Sequence, residues 1–211
     1  VFQPKRILAI DVGASKVVLA EFAVERGRTP QLTRYGISHL EIDPENDTHS
    51  SALLVAALRE LMREQGIKPA PLYFSISGQT VFPRFVTLPP VAKDKIFQIV
   101  RYEAEQNVPF PIDEVVWDYQ LLPGGADDEN NVMLVAVKTE NVTRLTDCVQ
   151  AAHLEPLVVD AAPLALYNTV QHNYGGEGGC TLVLDIGARS SNLIFVEENR
   201  IFSRSVPVAG N

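Results

Sequence analysis

The sequence has little of what covalent and metal chemistry requires. Its 211 residues include two cysteines, Cys148 and Cys180, and four histidines, His39, His49, His153 and His172. None of them shows ligand spacing such as His-x-x-x-His, and no Ser/His/Asp pattern appears, which argues against a His/Cys metal centre and against nucleophilic hydrolysis. Each cysteine lies inside an apolar periodic segment and is expected to be a small buried hydrophobe in a reducing compartment. Basic residues are also scarce. The 18 Lys and Arg stand against 26 Asp and Glu, for a net charge of -8, and the basic stripe of a nucleic-acid binder is missing. No stretch approaches the about 18 apolar residues of a membrane-spanning helix. What remains, 46% hydrophobic and 21% charged, fits a soluble chain with a sizeable core in one or two domains.

Two stretches stand out against this background. Ile7-Leu8-Ala9-Ile10 runs into Asp11, turns at Val12-Gly13-Ala14-Ser15-Lys16 and leaves through Val17 to Ala20. Short runs rich in Ile and Val around a Gly/Ser turn indicate a hairpin rather than a helix. Far along the chain the figure returns: Leu182-Val183-Leu184, Asp185, Ile186-Gly187-Ala188-Arg189-Ser190-Ser191, then Leu193 to Val196. A glycine lets backbone approach a ligand, successive turn amides form an anion-binding concavity, and an acid at the strand end can hold Mg²⁺ through its water shell. One such turn alone is ordinary hairpin chemistry. Two copies with the same order of acid, glycine and small residue point to two half-folds facing one cleft.

Taken in order, Gln31 to His39 adds a third strand to the first hairpin, and Asp43 to His49 is a polar loop. Ser50 or Ser51 is expected to cap a helix carrying Leu54, Ala57, Leu58, Leu61 and Met62 on one face, stopped by Gly66. Leu72 to Ser77 reads as a buried strand, so the layer is α/β. Phe82 to Leu88, a helix from Ala92 to Asn107 and Val115 to Leu122 form a strand-helix-strand piece, followed by a loop at Gly124 to Asn130. Glu103 and Glu105 lie two apart on that helix and do not face each other, so they read as a solvated face. The main layer is expected to resume with a strand at Val132 to Lys138, a helix at Val142 to Ala152, a strand at Pro156 to Asp160 and a helix at Pro163 to Asn173. Asp160 is either an N-cap for that last helix or a polar group at the carboxyl end of a strand, where α/β sheets bind ligands. Tyr174 to Gly179 is a flexible link. The expected domains are residues 1–78 with 128–178 as the first lobe, 79–127 as an inserted subdomain, and 179–211 as the start of a second lobe.

This order of parts resembles the actin-like ATPase superfamily, in which two Asp-x-Gly hairpins grip Mg·ATP from opposite lobes. Asp11 to Lys16 resembles the first phosphate motif, Asp185 to Ala188 the second, and Val159 to Ala165 the connecting helix. Within the superfamily, Leu88-Pro89, the run from Tyr102 through Pro109-Phe110-Pro111 to Val116, Asp118-Tyr119-Gln120, Phe202-Ser203-Arg204-Ser205 and Gly210-Asn211 are similar to the PilM family of type IV pilus assembly proteins, relatives of the cell-division protein FtsA. The likeness covers nearly the whole chain, and its most specific part is the helix-to-Pro-Phe-Pro stretch. It implies an α/β actin-like ATPase (ribonuclease H-like) fold with an FtsA/PilM-type inserted α+β subdomain and a truncated second lobe.

The resemblance also implies ATP and Mg²⁺ as ligands. Asp11, Gly13, Ala14, Ser15, Lys16, Asp185, Gly187 and Ala188 would hold the nucleotide, Asp11 and Asp185 the metal, and Asp160 would place metal or attacking water. Arg189 departs from the family pattern; it either adds a phosphate contact or occludes the turn. The implied role is a scaffold at the inner face of the inner membrane, cytoplasmic and at most a slow ATPase. It would dock the N-terminal segment of a bitopic partner, PilN, in a groove between main layer and insertion, lined by the 92–107 helix and the 82–88 strand. The alternatives are a GspL-like type II secretion domain and an actin-like small-molecule kinase, which would need a substrate acid or base in the cleft. Val1 at the start and Gly210-Asn211 straight after a strand pattern suggest a piece of a longer protein, without the adenosine-binding segment. Such a piece is expected to bind ATP weakly, to show no turnover and to self-associate through its second-lobe hairpin.

Overall fold

The computed structural model describes residues 5–40, 47–89, 91–122, 130–174, 179–197 and 200–210. The expected loop before the first helix falls mainly outside these residues, as do most of the 124–130 loop, the Gly175–Gly178 part of the link, and Asn211.

The first hairpin is β1 (Arg6–Val12) and β2 (Lys16–Ala23), paired antiparallel from Arg6 with Ala23 to Val12 with Val17. β3 (Gln31–His39) continues the meander. Helix α1 (Asp47–Gln65) crosses to β4 (Pro71–Ile76), which lies parallel to β1. After β8 (Glu155–Ala161) joins parallel to β4, the five-stranded order is β3-β2-β1-β4-β8. Alternation does the packing: Leu8 and Ile10 of β1 and Val17 and Leu19 of β2 point to one face, where Leu54, Leu58 and Leu61 of α1 bury them. Helix α3 (Thr139–Ala151) completes that layer with Cys148 and Val149. α1 begins at Asp47, so Ser50 and Ser51 lie inside its first turns and are not its cap. Gly66 ends it at φ +61°, a left-handed conformation open to glycine. Cys148 is buried as expected; Cys180 is exposed.

The second sheet has the order β5-β7-β6, all antiparallel, from β5 (Val81–Leu88), β7 (Asn130–Lys138) and β6 (Val115–Leu122). This corrects the expectation that the 132–138 strand returns to the main layer. β7 is the central strand of the inserted sheet, so that sheet reaches past residue 127. The physical reason is two-sided burial. Val132, Leu134 and Ala136 pack under α2 (Lys93–Asn107), while Met133, Val135 and Val137 pack on the opposite side. An unbroken apolar run of this kind belongs in a strand covered on both faces. The Pro-Phe-Pro stretch after α2 ties the helix down: the Phe110 ring meets Phe82 edge-on at 5.0 Å, and Lys138 Nζ lies 4.8 Å from its centroid.

After α4 (Ala162–Tyr174), a third sheet has the order β11-β10-β9, built from β9 (Cys180–Ile186), β10 (Ser191–Glu197) and β11 (Arg200–Val206). Its core is small, with Ile194, Val196 and Ile201 packed beside Met133, Leu164 and Tyr167.

Candidate functional site

The two hairpin turns close by the same bond. Gly13 N–H donates to Lys16 O at 2.9 Å, and Gly187 N–H donates to Ser190 O at 2.9 Å. Neither glycine has a positive φ, so backbone freedom is not what the turns require. Space is: a Cβ would stand 3.2 Å from Lys16 O at Gly13 and 2.9 Å from Ser190 O at Gly187. The turns face each other across a cleft of about 500 Å³, lined by both of them, by Ser50 and Ser51 of α1, by Ser77 to Thr80 beyond β4, and by Arg144 of α3.

Asp11 and Asp185 meet in this cleft. Asp11 keeps solvent contact at the mouth, yet the crowding walls desolvate it, and that burial, with the charge of Asp185, raises its pKa above 3.8 despite the opposing charge of Lys16. The pair therefore favours a cation between or beside its carboxylates. Asn192, on β10, fixes one of them: its Nδ2 donates to Asp185 Oδ2 at 2.8 Å. Asn192 Oδ1 is buried without a hydrogen-bond partner at the cleft wall. Gly78 lies against it, where a Cβ would come within 2.5 Å of that oxygen. Among the described residues no group of three or more His, Cys, Asp or Glu assembles. Two carboxylates, an orphaned amide oxygen, paired glycine turns and the cations Lys16, Arg144 and Arg189 suit a hydrated Mg²⁺ and phosphates, because Mg²⁺ retains most of its water.

All eight residues expected at the nucleotide thus line one cleft. Arg189, an exposed residue of the second turn itself, lines it too. Asp160 does not. β8 is the edge strand, two strands from β1, or roughly 10 Å away at the usual sheet spacing. Its carboxyl end opens instead into a separate groove of about 620 Å³ between the inserted sheet and α4. Asp160 there is half-buried, accepts the Ala161 N–H at 2.7 Å, and has a pKa raised by desolvation against that hydrogen bond. The groove is lined by Val116 and Asp118 of β6, Met133 and Val135 of β7, and Leu164 and Tyr167 of α4, among others. The expected lining by α2 is corrected, since α2 covers the other face of the sheet. β5 lines a further cavity, of about 450 Å³, with Phe195 and Phe202. Sequence reasoning did not single out Arg144, Asn192 or Gly78. The spacing that pairs Asp185 with Asn192 across the β9–β10 hairpin was the available signal for the amide, but only the folded cleft sets Gly78 and Arg144 beside it.

A family model described as type IV pilus assembly protein PilM matches residues 9–211. The chain belongs to the PilM family. Among solved structures it is similar to the PilM-PilN type IV pilus biogenesis complex, at 27% identity and a TM-score of 0.82, over 97% of this chain and 62% of that one. The PilM-family chain therefore spans less than two thirds of that relative's length. It shares its fold with the cytoplasmic domain of EpsL from the type II secretion system of Vibrio cholerae (11% identity, TM-score 0.63, 96% of this chain and 71% of that one). It also shares it with the ethanolamine utilization protein EutJ of Carboxydothermus hydrogenoformans (14%, 0.55, 99% and 54%). The architecture is the α/β actin-like ATPase fold with the PilM-type second sheet inserted.

Proposed function

We propose that this chain is the nucleotide-binding and partner-docking part of a type IV pilus assembly scaffold, working on the cytoplasmic side of the inner membrane. The groove between β6, β7 and α4 takes the N-terminal segment of a PilN-type membrane partner in extended form. The cleft between the two hairpin turns takes the phosphates of ATP with Mg²⁺. The observation carrying this reading is the pairing of a polar phosphate-type cleft with a separate apolar groove in a member of the PilM family. β6 is an edge strand of its sheet and β8 of the main sheet, so backbone groups beside the groove can hydrogen-bond an added strand while apolar slots take alternate side chains. Among the described residues only Asp11 and Asp185 are carboxylates lining the cleft. Both suit the metal, leaving no further acid there for the substrate chemistry of a small-molecule kinase.

The test uses a fluorescently labelled synthetic peptide of the PilN-type partner's N-terminal segment. Anisotropy should report saturable binding to the native chain and at least about tenfold weaker binding to Val116→Arg, which places a large charged side chain at a half-exposed groove position. Equal affinity for both proteins would remove the groove from the docking role.

A further inference from the structure

The groove is apolar along most of its wall, but it carries two carboxylates, Asp118 on β6 and Asp160 on β8, and no Lys, Arg or His among the described residues. Each carboxylate accepts one backbone N–H from the next residue, at 2.7 Å in both cases. Among the described residues no ion pair involves either one. The surroundings of Asp160 are not accidental to its charge. A half-buried carboxylate with one oxygen occupied by a single amide is short of donors, and the cost of its desolvation, which raises its pKa, is what a partner cation would offset. A purely apolar ligand would leave that carboxylate drier and still unpaired, at a cost to affinity.

We infer that the occupant of this groove is an extended segment that sets a basic side chain, Arg or Lys, against Asp160, with its apolar residues in the slots between β6, β7 and α4. This rests on the docking reading above and adds the rule by which the groove selects. Val116 and Val159 are half-exposed apolar positions of the groove wall, so apolar contacts supply contact area and the acid supplies register. Reading one charge in an apolar groove discriminates strongly, since a neutral or acidic residue at that register leaves Asp160 buried and unpaired. Asp118, which is exposed, adds negative potential at the rim and contributes less, because solvent screens it.

The experiment selects a displayed library of random nonapeptides on the chain and on its Asp160→Asn variant, with circular dichroism confirming that both are folded. Selected peptides are then measured by anisotropy beside counterparts whose basic residue is changed to Gln. The inference expects apolar sequences with Arg or Lys recurring at one position. It also expects about a tenfold loss on neutralising that residue against the native chain, as for one charge-assisted partner, and little loss against Asp160→Asn. Groove-binding peptides without a basic residue, or an equal loss on both proteins, would overturn the inference and leave docking intact. Failure to select any peptide that Val116→Arg weakens would overturn the docking reading itself.

Discussion

Asp11 carries two opposed demands. Burial in the cleft wall and the neighbouring Asp185 raise its pKa, with Lys16 opposing, so the folded chain holds the Asp11 proton more tightly than the unfolded chain does. Stability at this residue is therefore fully present below the unfolded value near 3.8 and falls as pH rises through the raised folded value. Asp11→Asn removes the titration. The variant should melt at a higher temperature than the native chain at pH 7, the gap narrowing as pH falls toward 4, while binding Mg·ATP more weakly. Thermal melts from pH 4 to 8 check the first part, and a native chain melting at or above the variant at pH 7 would defeat it. Asn192 shows a related arrangement: a buried amide gives one bond to Asp185 and leaves its oxygen unpaired, a local loss that a ligand's donor would recover.

At the scale of elements, β7 has the largest consequence. It pairs with β5 on one side and β6 on the other along its whole length, and its two faces belong to different clusters. Excising 79–127 and bridging with a Gly/Ser linker would remove α2 and both partner strands, leaving β7 with two open edges and Leu134 uncovered. This deletion is expected to aggregate or lose cooperative melting. A soluble deletion with a sharp melt would show that the second sheet is dispensable to the first. A gentler probe is Leu134→Ala, which empties a fully buried site under α2 and should cost about 2–5 kcal/mol in denaturant titration.

For the molecule as a whole, cleft and groove lie back to back. Ile76 lines both, and Ala161 and Ala162, adjacent in the chain, line one each. The described cleft offers turn amides, two acids and cations, and no aromatic residue lines it. On the proposed reading these residues hold phosphate and metal. Mg·tripolyphosphate should bind this chain within about threefold of Mg·ATP, less than 1 kcal/mol apart, by calorimetry at matched ionic strength. A strong preference for ATP would mean that base and ribose find a pocket here.

The sequence by itself determined the local elements and the paired turns. Apolar alternation in short runs, the acid-glycine-small order of the two turns, and the 3.6-residue periodicity of α1, α2 and α3 are properties of neighbouring residues, and they were legible residue by residue. The Pro-Phe-Pro stretch was legible as a family mark, though its physical task, clasping Phe110 onto Phe82, was not. Tertiary structure decided three things. It made β7 the centre of the second sheet, because pairing partners far apart in sequence are chosen by two-sided burial and not by order along the chain. It set Asp160 in the groove and not in the cleft between the two turns, because lateral strand order, invisible to any local pattern, sets which cavity a strand end meets. It also brought Gly78, just beyond β4, against the Asn192 amide oxygen, a contact between segments more than a hundred residues apart, whereas Asn192 meets Asp185 directly across its own hairpin.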